Sequence, residues 1–420
     1  MKGLQRNVVL LGVVSFFADV SSDMVMPLLP PFLVSLGAGA AFLGIIEGAA
    51  EATAALLKYL SGRWADRVRQ LLPLAIAGYA LAAIARPFLA VAHAPWQVLA
   101  VRNLDRVGKG LRTSPRDKLL AASTEPARLA EAFAFHRGMD HAGAALGPLV
   151  AAALLLLWPG DLRRVFLLAA IPGGLAVMAL FAVREEEAKA GLGPQASGLG
   201  PEAKAGLGLQ ASGLGPEAQK AKADLGLRPE AKSAGGRVPA SLLVAIGVFT
   251  LGNSTDALLI LRAQTVGVPT PQLPILWALL HVVRSALSWP LGRAADRLGR
   301  RGALAAGWLW YAACYAGFAL ARSPLQMWLL FAAYGLVAGL TEGSERALIA
   351  SAVPGERRGR ALGVYNLVSG IGLLLASVLA GEVWEHGSPQ AALLLGAGLA
   401  FAAAALLAAA HRPARAALAP

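Results

Sequence analysis

The chain has 420 residues, 56% of them hydrophobic and only 15% charged, with a formal net charge of +13 and a mean hydropathy of +0.58. A soluble domain carries about a quarter charged residues, so this balance excludes an ordinary water-soluble globule. At roughly 20 apolar residues per helical span, the length holds about a dozen spans. The surplus Lys and Arg fall in short segments between apolar runs, a pattern of membrane topology rather than of a nucleic-acid partner. The single cysteine, Cys314, lies in an apolar run, which excludes a disulfide framework or cysteine metal site within one chain.

Along the chain, Lys2 and Arg6 precede the apolar run Val8–Val14, as in a signal peptide. Asp19 and Asp23 follow without a small-residue cleavage site, so this reads as an uncleaved first span. Apolar segments then occupy 7–31, 41–60, 71–93, 96–122, 131–157 and 163–183, and again 239–265, 273–290, 302–321, 325–350, 360–384 and 389–410. The expected fold is an all-α membrane protein of twelve transmembrane helices, arranged as two six-helix pseudo-repeats around a central cavity. Residues 1–184 form the first half and 238–420 the second. Between them, residues 185–237 read as a flexible cytoplasmic linker, in which EAKAGLGPQASGLGP (Glu187–Pro201) recurs as EAKAGLGLQASGLGP (Glu202–Pro216).

Positive charge sets the orientation. Arg63, Arg67 and Arg69, then Arg293, Arg297, Arg300 and Arg301, then Arg357, Arg358 and Arg360 alternate with weakly charged turns such as Gly37–Ala40 and Gly267–Gln272. Both termini and the linker thereby fall on the cytoplasmic side of the cell membrane, with Arg163 and Arg164 as the main exception outside. The halves are also related in sequence: Gly62-Arg63-Trp64-Ala65-Asp66-Arg67 returns 230 positions later as Gly292-Arg293-Ala294-Ala295-Asp296-Arg297, and Leu119-Leu120-Ala121 returns as Leu348-Ile349-Ala350 after 229. Phe16–Asp23 is similar to Phe249–Asp256 after 233. Nearly constant offsets indicate parallel repeats packed about an axis along the membrane normal, with substrate between them.

The loops after spans two and eight are similar to the signature G-x-x-x-D-R-x-G-R-R of the major facilitator superfamily. Gly292 to Arg301 fits throughout, while the first copy carries Arg69 in place of the second glycine and Gln70 in place of a basic residue. The resemblance implies a cytoplasmic gate formed by Gly62, Asp66, Arg67, Gly292, Asp296, Arg297, Arg300 and Arg301, the glycine allowing close helix approach and the aspartate latching arginines or a helix N-terminus. In span four, Arg102-Asn103-Leu104-Asp105-Arg106-Val107-Gly108-Lys109-Gly110 resembles the R-x-x-Q-G-x-G segment whose arginine is associated with proton coupling, with Asp105 and Arg106 replacing the amide and first glycine. The longer run Asp105–Asp117 resembles a group of bacterial permeases in the same superfamily. In span five, Gly143, Gly147 and Pro148 resemble the G-x-x-x-G-P element of proton-driven exporters; small residues four apart also simply permit tight packing, and the proline a bend.

Ionisable residues within spans cost about 2.5–3.5 kcal/mol each when turned to lipid, so they must face a cavity or one another. Asp19 and Asp23 share one face of span one, as Glu47 and Glu51 do on span two. Carboxylates this close repel when both are ionised, which suits groups that load and release protons. Asp23 and Asp256 occupy equivalent repeat positions. Basic partners are Arg86, Arg102, Arg106, Lys109, Arg284 and Arg346, together with Arg112 and Arg116 if these do not face water, and Glu342 and Arg346 stand four apart on one helix. The proton-coupling or substrate set is thus Asp19, Asp23, Glu47, Glu51, Arg86, Arg102, Asp105, Arg106, Asp256, Arg284, Glu342 and Arg346; static ion pairs between helices are the competing reading for each. Arg112, Arg116 and Asp117 read as a wet cytoplasmic face, and Phe16, Phe17, Trp277 and Trp289 as packed or lipid-facing.

His136 and His141 do not share a helical face, no phosphate-binding loop with a Lys-Ser/Thr ending is present, and no nucleophile constellation occurs. The expected function is a secondary transporter, not an enzyme, without metal or cofactor, exchanging protons for exported small organic solute. The alternatives are a proton-coupled importer or facilitator and a transporter-derived membrane sensor. The partners are the small-molecule substrate, protons and the lipid bilayer, with no nucleic acid, and a monomer encloses the pathway.

Overall fold

A computed structural model describes residues 5–65, 67–68, 70–125, 128–185, 238–353 and 358–409. Among these residues only helices and turns occur. In chain order the helical segments are α1 (Arg6–Ser35), α2 (Ala40–Ala65), α3 (Leu72–Val91), α4 (Pro95–Ala122), α5 (Leu129–Leu157) and α6 (Leu162–Leu180). The second set is α7 (Ala240–Thr265), α8 (Leu273–Leu298), α9 (Arg300–Leu320), α10 (Pro324–Ser351), α11 (Arg358–His386) and α12 (Pro389–Ala409). Ten segments in the described residues are long and apolar enough to cross a membrane; α4 and α8 are as long but carry more polar sequence.

Several helices run past the apolar runs that announce them. The run 41–60 continues to Ala65 and the run 273–290 to Leu298, so Gly62 and Gly292 lie in closing helical turns rather than in loops. Helical hydrogen bonds are internal to the backbone and continue while charged side chains reach water. Pro27 interrupts α1 with a 3-10 turn at Met26–Leu28, because proline removes a donor. α7 opens at Asn253–Asp256 between Ala240–Gly252 and Ala257–Thr265.

The duplication extends to backbone detail. Gly37 and Gly267, 230 positions apart, both have positive φ, +81° and +97°. Each closes its helix with the same bonds, Ala38 N–H to Leu33 O at 2.9 Å and Val268 N–H to Ala263 O at 3.0 Å, the arrangement that lets a left-handed glycine satisfy terminal carbonyls. Gln97 and Gln326 likewise accept backbone N–H groups at the starts of α4 and α10. The motif glycine Gly299 has φ +82° between α8 and α9, whereas Arg69 at the first copy's equivalent place lies outside the described residues.

Within the first half α1 packs on α5, and α4 on α2 and α3; within the second, α9 packs on α12 and α8 on α10. The halves meet along α2–α11 and α5–α8. A Cβ added at Gly381 would lie 2.6 Å from the Ala40 carbonyl oxygen, and one at Gly48 2.9 Å from the Leu374 Cα, yet at Gly363 the nearest neighbour is the Tyr59 ring at 3.9 Å. The seam is therefore tight from the end away from the chain termini as far as Gly370, whose added Cβ would strike the Ala55 Cβ, and opens only beyond it. Core packing follows the same gradient. One buried cluster crosses the halves at the far end, joining Leu29, Phe32, Leu43 and Ala40 to Ala257, Leu258, Leu261 and Ala380. At the terminus-bearing end, Val8, Leu11, Leu119, Leu120 and Leu180 form a core belonging to the first half alone.

Candidate functional site

The centre of the first half is an ion-pair lattice built by α4. Arg102 donates from Nε and Nη2 to the two carboxylate oxygens of Glu47, at 2.9 and 2.8 Å, and from Nη1 to Asp105 Oδ2 at 3.3 Å. Arg86 donates to the other oxygen of Asp105 at 2.9 Å and to Ser21 Oγ at 2.7 Å, and the Ser21 hydroxyl in turn donates to Ala169 O at 2.6 Å. All four charged side chains are at most 5% exposed. Asp105, standing where the resembled motif has an amide, is thus the acceptor shared by two arginines on α3 and α4. Two cations against two carboxylates make the lattice neutral, which offsets the desolvation of each member. Glu47 and Asp105 are committed to it, the static pairing that the spacing leaves open.

One turn further on, α4 changes character. Arg106 approaches Glu51 only at 3.4 Å, and its buried Nε and Nη1 have no hydrogen-bond partner in the described residues. Lys109 has no ion pair within 4 Å among them. Arg112 reaches Asp19 only at 3.9 Å and lies 4.1 Å over the Tyr79 ring. The expectation of a wet face at Arg112, Arg116 and Asp117 is corrected here: Arg112 is 4% exposed, and Arg116 is largely covered, bonding Asp117 at 2.8 Å and Ser15 at 3.3 Å. Asp117 is the most open of the three, its side chain 42% exposed. Gly78 and Gly108 let α3 and α4 approach until backbone meets backbone, and that closeness covers the guanidinium groups.

The two repeat-related acids meet one helix of the second half. Asp23 accepts from Trp277 Nε1 at 3.0 Å across the interface and lies 4.0 Å from His281 Nε2. Asp256, at the opening of α7, accepts from Tyr334 OH at 2.7 Å and pairs with Arg284 at 3.5 Å. Trp277, His281 and Arg284 are spaced so that they line one side of α8. The opened backbone of α7 is satisfied by Tyr311 OH on Gly252 O at 3.0 Å, by Tyr315 OH on Ser254 O at 3.4 Å, and by Ser377 Oγ, which accepts from Thr255 N at 3.1 Å.

Gly143 and Gly147 face α1, where an added Cβ would strike the Phe16 and Val20 carbonyl oxygens; they set the α1–α5 approach. Gly62 does not act this way, since its Cβ would meet Ser114 Oγ at an ordinary 3.5 Å. Close approach of α2 and α4 instead rests on Gly110 against Leu57, so the expected packing role moves from the motif glycine to α4. Asp66, the surroundings of Gly292, the side chains of Asp296, Arg297, Glu342 and Trp289, and linker 186–237 lie outside the described residues. Arg67 is exposed, Arg300 and Arg301 open α9, and Arg346 is exposed. Of the two outside exceptions, Arg163 donates to Ala90 O at 2.6 Å and Arg164 pairs with Asp161 at 3.2 Å, so both have local structural employment.

Two buried charged residues are among those that escaped the sequence reading. Glu345 is buried and accepts from Trp308 Nε1 at 3.2 Å and from Tyr365 OH. Arg262 caps α9 by donating to Phe318, Ala319 and Ala321 carbonyl oxygens. The available signal was a charged residue inside a span, the criterion applied to the others.

Charged groups turned inward between two related half-bundles, with apolar helices outside, define a multi-pass membrane protein of the transporter class. A family model described as the Major Facilitator Superfamily matches residues 11–283 and 240–420. An uncharacterised MFS-type transporter of Methanocaldococcus jannaschii is 30% identical over 411 residues, covering 96% of this chain and 94% of its own. An uncharacterised protein of Mycobacterium tuberculosis is 35% identical over 175 residues, 42% of this chain and 43% of its own. Among solved structures, the nucleoside transporter NupG superposes with a TM-score of 0.73 at 13% identity, covering 97% of this chain and 100% of that one. A bacterial homologue of the human lysosomal transporter Spinster, in an inward-facing and unoccupied conformation, gives 0.68 at 16% identity over 98% and 96%. The solved structures establish likeness of fold. The chain belongs to the Major Facilitator Superfamily.

Proposed function

We propose that the protein is a secondary transporter of the cell membrane, working by alternating access and coupling protons to the export of a small organic solute. In this reading all twelve helical segments span the bilayer, both termini are cytoplasmic, the linker is a tether, and one chain encloses the pathway without cofactor, metal or enzymatic step. The observation that carries it is the meeting of Asp23 and Asp256, one from each repeat, on the same side of α8. A proton on Asp23 changes the cross-half bond to Trp277, so loading an acid acts directly on the contact between the moving bodies. Closure at the far end with separate cores at the terminus-bearing end supports an inward-facing state. The G-x-x-x-G-P resemblance at Gly143–Pro148 supports the exporter direction.

The test is reconstitution in proteoliposomes containing a pH-sensitive dye, challenged with drugs, amino acids and organic acids. Solute-driven proton movement in the wild type, lost in both Asp23→Asn and Asp256→Asn, is the expected outcome. Solute flux untouched by either substitution removes these acids from coupling, and accumulation only down an inward proton gradient reverses the direction.

A further inference from the structure

The basic side of α4 beyond the neutral lattice has more cation than the protein neutralises. Arg106, Lys109 and Arg112 recur every third residue along α4, which packs on α2, the helix that carries Lys58. The carboxylates nearest to them are Glu51, at 3.4 Å from Arg106, and Asp19, at 3.9 Å from Arg112. Asp23 is held by Trp277, and Glu47 and Asp105 are consumed in the lattice. Arg106 and Arg112 are each 4% exposed, yet Arg106 Nε and Nη1, Arg112 Nη1 and the adjoining Tyr79 OH find no hydrogen-bond partner among the described residues. A buried guanidinium edge without an acceptor is costly, and such groups are ordinarily satisfied by protein, water or ligand. Across the interface, His281, whose Nε2 lies 4.0 Å from Asp23 of the first half, has no hydrogen-bond partner at either ring nitrogen among the described residues, nor has Ser285 Oγ. Donors from both halves thus converge on the same interior.

We propose that this face is the substrate subsite for an anionic group: the transported solute carries a carboxylate or phosphate that Arg106, Lys109 and Arg112 hold on the first half while His281 and Ser285 contact its remainder from α8. This rests on the transporter reading above and narrows its substrate to organic anions. Guanidinium edges supply paired N–H donors for one oxyanion, and the ammonium between them adds charge without demanding a direction. The carboxylates at 3.4 and 3.9 Å are near enough to hold the cations in place when no solute is bound, and loose enough to yield them.

The experiment uses the full-length protein with benzoate, phenyl phosphate, benzamide and benzylamine, four probes that share a ring and differ in charge. Thermal stabilisation and tryptophan fluorescence in detergent measure binding; dye-loaded proteoliposomes measure proton flux. Stabilisation by benzoate or phenyl phosphate, absent with benzylamine, is expected. Binding should weaken at least about tenfold in Lys109→Gln and in Arg106→Gln, the scale of one hydrogen bond to a charged group. Should Arg106→Gln fold poorly, Lys109→Gln, at a partly exposed residue without an ion pair, carries the test. Response to benzylamine alone, to no anion, or to anions equally in both variants overturns the anionic subsite. Benzylamine-driven proton flux would overturn it while leaving proton-coupled transport intact; anion binding without flux would uphold it and remove the coupling.

Discussion

Converting Glu47 to Gln tests whether the lattice behaves as one electrostatic unit. Glu47 accepts two hydrogen bonds from Arg102, and both side chains are at most 3% exposed. The amide keeps an oxygen for one of them but points an N–H at the other guanidinium donor, so one charge-assisted bond is lost and a donor faces a donor. With Asp105 already shared between Arg86 and Arg102, the lattice is left with two cations and one carboxylate. Breaking a buried pair this way costs about 3–5 kcal/mol, a large part of the roughly 5–15 kcal/mol of a typical domain. Apparent melting in detergent should fall steeply for E47Q. The paired change Glu47→Leu with Arg102→Met, which removes both charges, should recover much of the loss, because an apolar pair of similar size is often neutral. If E47Q melts as the wild type does, or the double variant is as unstable as the single, the lattice is not electrostatically closed and the argument for its neutrality fails.

Gly147→Leu should destabilise the protein by about 1–3 kcal/mol through overpacking, since its Cβ would meet the Val20 carbonyl oxygen at 2.5 Å, whereas Gly138→Leu, open around its Cβ, should leave melting unchanged. Trp277→Phe removes the indole donor to Asp23 without opening a large void. It should raise labelling of cysteines introduced near the far end of the bundle, and unaltered labelling would exclude this bond as a cross-half restraint. Replacing residues 188–234 by a Gly/Ser segment of equal length should leave solute flux intact, and loss of flux would give the repeated tether a role beyond spacing.

The helical segments and the duplication were legible because both rest on local pattern: apolar runs of spanning length, and motifs such as Gly292–Arg301 that return at a constant offset. The end points were less so. Backbone hydrogen bonding carried α2 and α8 past their apolar runs, which hydropathy does not register. Spacing singled out the charged residues of α4 but not their partners. Glu47 and Glu51, four apart, looked like one acidic pair, yet Arg102 takes the first in a closed bidentate contact and Arg106 holds the second loosely. That division depends on which turn of α2 faces which turn of α4, set by the glycines at their contact. Arg112 read as solvated because charge usually is; the close α3–α4 approach at Gly78 and Gly108 buries it against Tyr79. Trp277 fitted equally well as lipid contact, since nothing local reveals that its N–H meets an acid 254 residues away.

The distribution of these contacts also bears on the proposed alternation between states, because the far end is the one packed closed. Opening it separates Leu258 and Leu261 of α7 from Leu29 and Phe32 of α1, each large apolar side chain costing about 1.5–3 kcal/mol if fully uncovered. Closing the opposite end would bring the basic face of α4 and Lys58 of the first half towards Arg346 of the second, and like charges resist that approach as water is expelled. In the proposed cycle both contributions would oppose the switch before solute binds. An anion on Arg106 and Lys109 removes the electrostatic part without touching the apolar part, so solute binding can shift the equilibrium only by the repulsion it cancels and the contacts it adds across the seam. A proton loaded on Asp23, as proposed above, would act on the separate bond to Trp277. On this reasoning substrate and proton bias the same rearrangement through different contacts, and measured coupling should diminish when either contact is lost rather than only when both are.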